Sequence, residues 1–172
     1  MIFQKLLLPD RMFGSYREVT PELLCGLGIR YIFSDIDNTL ATYDDPVPPP
    51  DTEKWLGDMR DSGISVIFVS NNGRERVERF AQAAELPYYW KAAKPVTRVL
   101  KKAMKDAGAQ PEESLLFGDQ LLTDAAAGRR CGMRVFIVPP IKDKTSPFFR
   151  FKRRIERPYI KKYKEINREQ EI

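Results

Sequence analysis

The chain has no histidine among its 172 residues. That removes imidazole general bases, Ser-His-Asp triads, phosphohistidine chemistry and the commoner zinc sites. Acid–base catalysis, if present, falls to carboxylates, lysine, tyrosine or cysteine. Cysteine is scarce: Cys25 and Cys131 are the two, too few for a disulfide framework, and a reducing cytoplasm is the simplest compartment. The apolar runs are about strand length, short of the ~18 residues of a membrane span. The opening "MIFQKLLLPDRMF" is interrupted too soon to read as a signal peptide. "CGLGIR" places four residues between Cys25 and Arg30. That is one short of a cysteine-phosphatase loop, and it precedes a strand instead of following one. Cys25 therefore reads as a buried apolar residue, and Cys131 likewise.

What is there fits a soluble globular protein, with 42% apolar and 31% charged residues. The length suits one domain with one good core. The net charge of +5 is uneven. Residues 150–172 hold nine basic and four acidic residues, whereas the charges of residues 1–149 cancel. We therefore expect a folded domain over 1–149 and a basic C-terminal tail over 150–172.

Along the chain, Thr20-Pro21-Glu22 reads as an N-cap, a proline at the first helical position and an early acid. "YIFSD" is strand-like and runs into the Pro-rich loop "ATYDDPVPPP". A helix is expected over 51–62, with Trp55, Leu56 and Met59 on one side. "ISVIFVS" reads as a buried strand, "GRERVERFAQAAE" as a helix and "PYYW" as a short strand. "PVTRVLKKAMKDAG" carries an apolar helical stripe, "SLLFGD" is a strand, "LLTDAAAGRRCG" a helix and "MRVFIVPP" a last strand. The alternation predicts an α/β domain with a mainly parallel sheet. Ligands in such sheets bind at the carboxyl ends of the strands. Three strands end there in polar residues: Asp35 and Asp37, then Ser70-Asn71-Asn72, then Asp119.

Two carboxylates as close as Asp35 and Asp37 repel each other and resist desolvation, so something must compensate them. With Asp119 they form a set of hard oxygen ligands suited to Mg²⁺. Ser70 can donate to a phosphate oxygen. Lys94, before Pro95 at a helix start, favours an anion. Together these groups would neutralise a phosphoryl group in transfer, one aspartate attacking phosphorus and another moving the proton.

"DIDNT", "VSNN", "KP" and "GDQLLTD" resemble, in order and spacing, the four motifs of the haloacid dehalogenase-like (HAD) phosphatases. The resemblance implies a single Rossmann-like HAD domain with helices on both faces of the sheet. It makes Asp35 the nucleophile and Asp37 the general acid/base, with its backbone carbonyl on Mg²⁺. Thr39 would support the loop, Ser70 with Asn71 would bind phosphate, and Lys94 would stabilise the nucleophile and the phosphoryl charge. Asp35, Asp37 and Asp119 would hold the metal, with Asp124 supporting. Adding "LLLPD", "AAKP" and "TSPFFRFKRRIE", the chain resembles the YqeG-type subgroup of capless, subfamily IIIA HAD phosphatases over roughly residues 5–157. That subgroup is similar to phosphatidylglycerophosphate phosphatases, which implies an anionic lipid phosphate as substrate.

Spacing supports the capless reading on its own. Thirty-five residues separate Asp35 from Ser70 and twenty-four separate Ser70 from Lys94. Neither gap holds a cap domain, so the site should be open to a phosphate carried on something large. Asn71, Asn72, Arg74 and Gln120 fit either a leaving group or local capping. Trp55 and Trp90 fit core or groove packing.

The tail "RFKRRIERPYIKKYK" fits a solvated helix face, an anionic membrane surface or a nucleic acid. Its aromatics, among them Phe148, Phe149 and Phe151, suit either of the last two. Beside a lipid phosphatase stand a phosphatase for nucleic-acid ends, nucleotides or sugar phosphates, and an RNA- or ribosome-binding protein with vestigial activity.

Overall fold

The computed structural model describes residues 6–142 and 147–170; the side chains of Phe148 and of 167–170 lie outside the described set. In chain order the elements are β1 (Arg11–Met12), α1 (Pro21–Gly26), β2 (Tyr31–Ser34), α2 (Pro50–Asp61), β3 (Ser65–Val69) and α3 (Arg74–Ala84). Then follow β4 (Tyr88–Tyr89), α4 (Arg98–Ala107), β5 (Ser114–Gly118), α5 (Ala126–Arg130), β6 (Arg134–Ile137) and α6 (Pro147–Gln170). A wide π-helical turn, Leu121–Ala125, leads into α5.

The six strands form one parallel sheet in the order β1-β6-β5-β2-β3-β4. Parallel strands must be buried on both faces, and the alternation of side chains along each strand supplies two cores. Ile32, Phe68, Leu115, Phe117 and Phe136 face one way and meet Leu24 of α1, Trp55 and Met59 of α2, and Val77 and Phe80 of α3. Phe33, Ile67, Leu116 and Val135 face the other way and meet Leu100 and Met104 of α4 and Ala127 of α5. Each fully buried large side chain contributes about 1.5–3 kcal/mol. Trp55 adds direction: its ring stacks 6.0 Å from Phe117 and its indole N–H donates to the Val19 carbonyl at 2.8 Å.

Local signals set the element ends. Thr20 accepts from the Leu23 N–H at 3.3 Å, so the expected N-cap opens α1. Glycine is required at Gly128, where a Cβ would stand 2.7 Å from Val135 and 2.8 Å from Leu116. Helix α5 can lie close on the sheet only because that atom is missing.

Two expectations are corrected. Cys25 is exposed: on the short α1 it sits about 100° round from Leu24, which takes the inward position and is fully buried. Trp90 follows β4 and is 38% exposed, with Lys91 over its ring at 5.6 Å. It lies just past the sheet's edge strand and outside both cores.

Strand β2 is central. Phe33 pairs with Ile67 of β3 on one side and Leu116 of β5 on the other. Just beyond the carboxyl ends of these three strands lie Asp35, Ser70 and Asp119, where the strand order switches direction. Among the described residues no added domain covers this edge: β2 leads to α2 by one loop, and β3 to β4 by α3 alone.

The basic segment forms a long helix. In α6, Phe149, Lys152, Arg153, Glu156, Tyr159, Ile160 and Tyr163 face the domain, while Arg150, Phe151, Arg154, Ile155 and Pro158 are outward. Tyr159 and Ile160 pack on the second core, and the Tyr163 hydroxyl accepts from the Met12 N–H at 3.0 Å. The outward position of Pro158 fits its lack of an N–H. No helix among the described residues is long and apolar enough to cross a membrane.

Candidate active site

Asp35 leaves β2 still held by the sheet, its N–H donating to the Phe117 carbonyl at 2.8 Å. The chain then folds back at once. The Ile36 carbonyl accepts from the N–H groups of Leu40 and Ala41, and Asn38 takes a left-handed φ of 65°. Asparagine tolerates that conformation better than most residues. Asp35 and Asp37 thus stay at the strand end, 8% and 4% exposed.

One oxygen each of Asp35, Asp119 and Asp124 lies within 4.8 Å of the others, and all three residues are buried. Lys94 enters between them from the loop after β4: its Nζ is 2.7 Å from Asp124 Oδ1 and 3.4 Å from Asp35 Oδ1. Burial pushes the Asp35 carboxyl up to about 6, with Lys94 pulling down and Asp124 and Asp37 pushing further up. Burial, then Asp124 and Asp35, push Asp119 up to about 8 against the pull of Arg153. Burial disfavours the Lys94 charge too, but Asp124 and Asp35 outweigh it and hold its pKa above the usual value.

These residues fit a small divalent cation. Among the described residues, the buried Oδ1 atoms of Asp35 and Asp124 face only the Lys94 ammonium, and two buried carboxylates that share one cation leave negative charge uncompensated. The donor set is all hard oxygen, with room for phosphate beside it. Asp124 is aimed from below: its Oδ2 accepts from the Gln120 N–H at 3.1 Å. It also lies where a Cβ on Gly118 would be, 2.3 Å from its Cγ. That glycine makes the room Asp124 needs.

Asp37 stands apart from this trio. Arg76 donates to its Oδ1 through Nε at 3.2 Å and Nη2 at 3.0 Å, and Asn72 Nδ2 donates to its Oδ2 at 3.1 Å. Ser70 is 1% exposed and its Oγ accepts from the Asn72 N–H at 3.2 Å. Asn71 spends both ends of its amide on Lys94, donating to the carbonyl at 3.0 Å and accepting from the N–H at 2.7 Å. It sets the loop that carries the ammonium group. Thr39 is fully buried beside the turn. Asp35, Asp37, Ser70, Asn71 and Lys94 line a cavity of about 310 Å³, which Tyr43, Asn72, Gln120, Thr123, Phe149 and Lys152 complete. Burial, then Asp37, Asp35 and Asp119, push the Tyr43 phenol well above its usual pKa.

Several of these residues have no strong signal in the sequence. Arg74, singled out there, pairs with Glu78 on the surface; Arg76, two residues on, turns inward to Asp37. Asn72 reaches Asp37, and α3 starts after Gly73 without a side-chain cap. From α6 come Lys152, Arg153 and Glu156. Their spacing with Phe149 is that of one helix face, a signal that a reading for net charge passes over.

The model of the haloacid dehalogenase-like hydrolases matches residues 10–132. The chain belongs to that family. Over 156 residues, 91% of each chain, it is 34% identical to a protein of Bacillus subtilis (strain 168) named probable phosphatase YqeG. Among solved structures it resembles CbbY of Rhodobacter sphaeroides in complex with phosphate, with a TM-score of 0.56 and 14% identity over 70% of this chain and 90% of that one. It also resembles the cobalt-bound deoxy-D-mannose-octulosonate 8-phosphate phosphatase of Haemophilus influenzae, with a TM-score of 0.54 and 18% identity over 63% and 68%. At these identities the two structures show the shared fold. The resemblance drawn from the four motifs thus holds, and the enzyme is a HAD-type phosphatase.

Proposed function

We propose that the enzyme is a Mg²⁺-dependent phosphomonoesterase that works through an aspartyl-phosphate on Asp35 and acts on phosphatidylglycerophosphate or a related anionic lipid phosphate. The observation that carries the chemistry is the meeting of Asp35, Asp119 and Asp124 at the switch point of the sheet, with the Lys94 ammonium between Asp35 and Asp124. Asp35, Asp119 and the backbone carbonyl of Asp37 would hold Mg²⁺, with Asp124 behind them. Bound there, the ion supplies charge neutralisation to the nucleophile and the phosphoryl oxygens.

A carboxylate oxygen of Asp35 attacks phosphorus and the bond to the leaving oxygen breaks. Asp37, steered by Arg76 and Asn72, gives that oxygen its proton. In the second step Asp37 takes a proton from water as the water attacks phosphorus, which frees Asp35 and inorganic phosphate. Lys94 keeps Asp35 ionised and faces the transferring group, Ser70 donates to a phosphate oxygen with Asn71 alongside, and Thr39 supports the turn.

The lipid half of the reading is supported by the lack of a covering domain among the described residues and by α6. This helix lends Phe149 and Lys152 to the mouth of the cavity. Its outward face carries Arg150 and Arg154 with Phe151, 62% exposed, and Ile155. Cations interleaved with apolar side chains suit the interface of an anionic membrane, where each basic residue contributes about 1 kcal/mol.

The test is phosphate release from phosphatidylglycerophosphate in mixed micelles with Mg²⁺, wild type beside Asp35→Asn. Efficient release that the variant lacks is the expected result. Hydrolysis of an aryl phosphate without release from the lipid would move the substrate to nucleic-acid ends or soluble phosphates. Undiminished turnover in Asp35→Asn would overturn the covalent route.

A further inference from the structure

We propose that the C-terminal helix is a built-in part of the active site, with Arg153 the positioning residue for Asp119 and Glu156 the strut that holds Arg153. The inference rests on the reading of Asp119 as a metal ligand. Asp119 is 2% exposed. Arg153 Nη2 donates to its Oδ2 at 2.7 Å, and Nη1 donates to its backbone carbonyl at 2.9 Å. One planar guanidinium therefore grips the side chain and main chain of the same residue. A fork of this kind fixes orientation in a way a point charge does not. Among the described residues, Asp119 Oδ1 meets only the longer contact from Gln120 Nε2, at 3.3 Å.

Arg153 is held in turn. Its Nη1 also donates to Glu156 Oε2 at 3.0 Å, one helical turn away. Glu156 has no exposed surface, and its Oε1 accepts from the Leu122 N–H at 3.1 Å. Leu122 belongs to the π-helical turn that carries Asp124, so Glu156 ties α6 to the segment bearing both late aspartates. Lys152 adds a bond from Nζ to Gln120 Oε1 at 3.3 Å. A buried carboxylate on a basic helix is out of place on a merely solvated tail; here it has a charged partner and a backbone donor. The helix thus braces the 119–124 segment from outside, as residues behind metal ligands commonly do.

The sign of the effect separates this role from simple charge balance. Removing a nearby cation would by Coulomb's law strengthen binding of a metal ion. Removing the grip on Asp119 weakens it. In the 172-residue chain, Mn²⁺ binding followed by electron paramagnetic resonance should weaken in Arg153→Met by about tenfold to a hundredfold. Arg153→Lys, which keeps the charge without the fork, should recover only part of the loss.

Turnover of an aryl phosphate should fall in kcat with KM little changed. Lys161→Ser, at an exposed position of the same helix, should bind Mn²⁺ as wild type does. Should Arg153→Met not fold by circular dichroism, Glu156→Gln keeps the acceptor for Leu122 and removes the charge that holds Arg153; it too should weaken binding. Unchanged or tighter Mn²⁺ binding in a folded Arg153→Met would overturn the inference and leave the metal reading in place. Equal binding in wild type and Asp119→Asn would overturn both.

Discussion

Replacing Lys94 by methionine should cost stability before it is assayed for activity. The ammonium is 1% exposed and faces two buried carboxylates, at 2.7 Å from Asp124 and 3.4 Å from Asp35. Methionine keeps much of the volume, so the loss is electrostatic. Breaking a buried pair by removing one partner costs about 3–5 kcal/mol, because the other charge is left uncompensated. For a chain of this length that is roughly 6–20 °C in melting temperature.

The penalty should depend on pH. Asp35 titrates at about 6 in the folded protein, and without Lys94 it would titrate higher still. In mild acid the variant can keep its aspartate neutral, so the gap to wild type should close as pH falls from 7.5 to 5. The assay is thermal unfolding followed by circular dichroism in EDTA at both pH values. A loss below about 1 kcal/mol at pH 7.5, within the range of an exposed pair, would refute the reasoning. So would a loss that does not shrink in acid.

Asp35→Asn should raise stability in EDTA at pH 7.5 by about 1 kcal/mol while abolishing turnover, since one repelling carboxylate is gone and Lys94 keeps Asp124; a lower melting temperature would count against it. Gly118→Ala would place a Cβ 2.5 Å from Asp124 Oδ2, so it should cost about 1–3 kcal/mol and lower kcat, as urea titration and steady-state kinetics would register. Asp35 and Asp119 titrate at about 6 and about 8 in the fold, against 3.8 ordinarily. Their contribution to stability is therefore full below about pH 4 and is lost as pH rises through 6 to 8. Urea unfolding in EDTA should show this decline, millimolar Mg²⁺ should flatten it, and equal stability at pH 5 and pH 8 in EDTA would contradict the burial argument.

Much of the architecture was legible in the chain alone. Period-two and period-3.6 patterns, a proline at the start of α1 and strands ending in acids are local signals. Local signals determine elements, their order and the carboxyl-end location of a site. Asp35, Ser70 and Asp119 could be placed because each sits at a strand end, and Asp124 was legible through the motif resemblance. The helix expected to start at Lys94 begins only at Arg98, so Lys94 reaches the site from a loop and not from a helix N-terminus. The resemblance made Asp37 the general acid/base and put its backbone carbonyl on the metal, but it did not show that Arg76 and Asn72, some thirty-five or more residues away in sequence, hold its carboxylate. Spacing within a motif cannot report a partner that arrives from another element.

Tertiary structure alone decided which way a charged side chain faces. Arg74 and Arg76 are both arginines on one helix, yet only Arg76 meets a carboxylate of the site. Cys25 falls outside the core because Leu24 takes the inward position. Above all, residues 150–172 read as net positive charge. Their meaning changed once α6 was seen to lay Lys152, Arg153 and Glu156 against the loop after β5. Net charge sums over a helix, whereas burial selects one of its faces. The sequence by itself determined the strands, the helices and the acids at the strand ends. The packing of a distant helix determined how one of those acids is held, because that contact joins residues 34 positions apart.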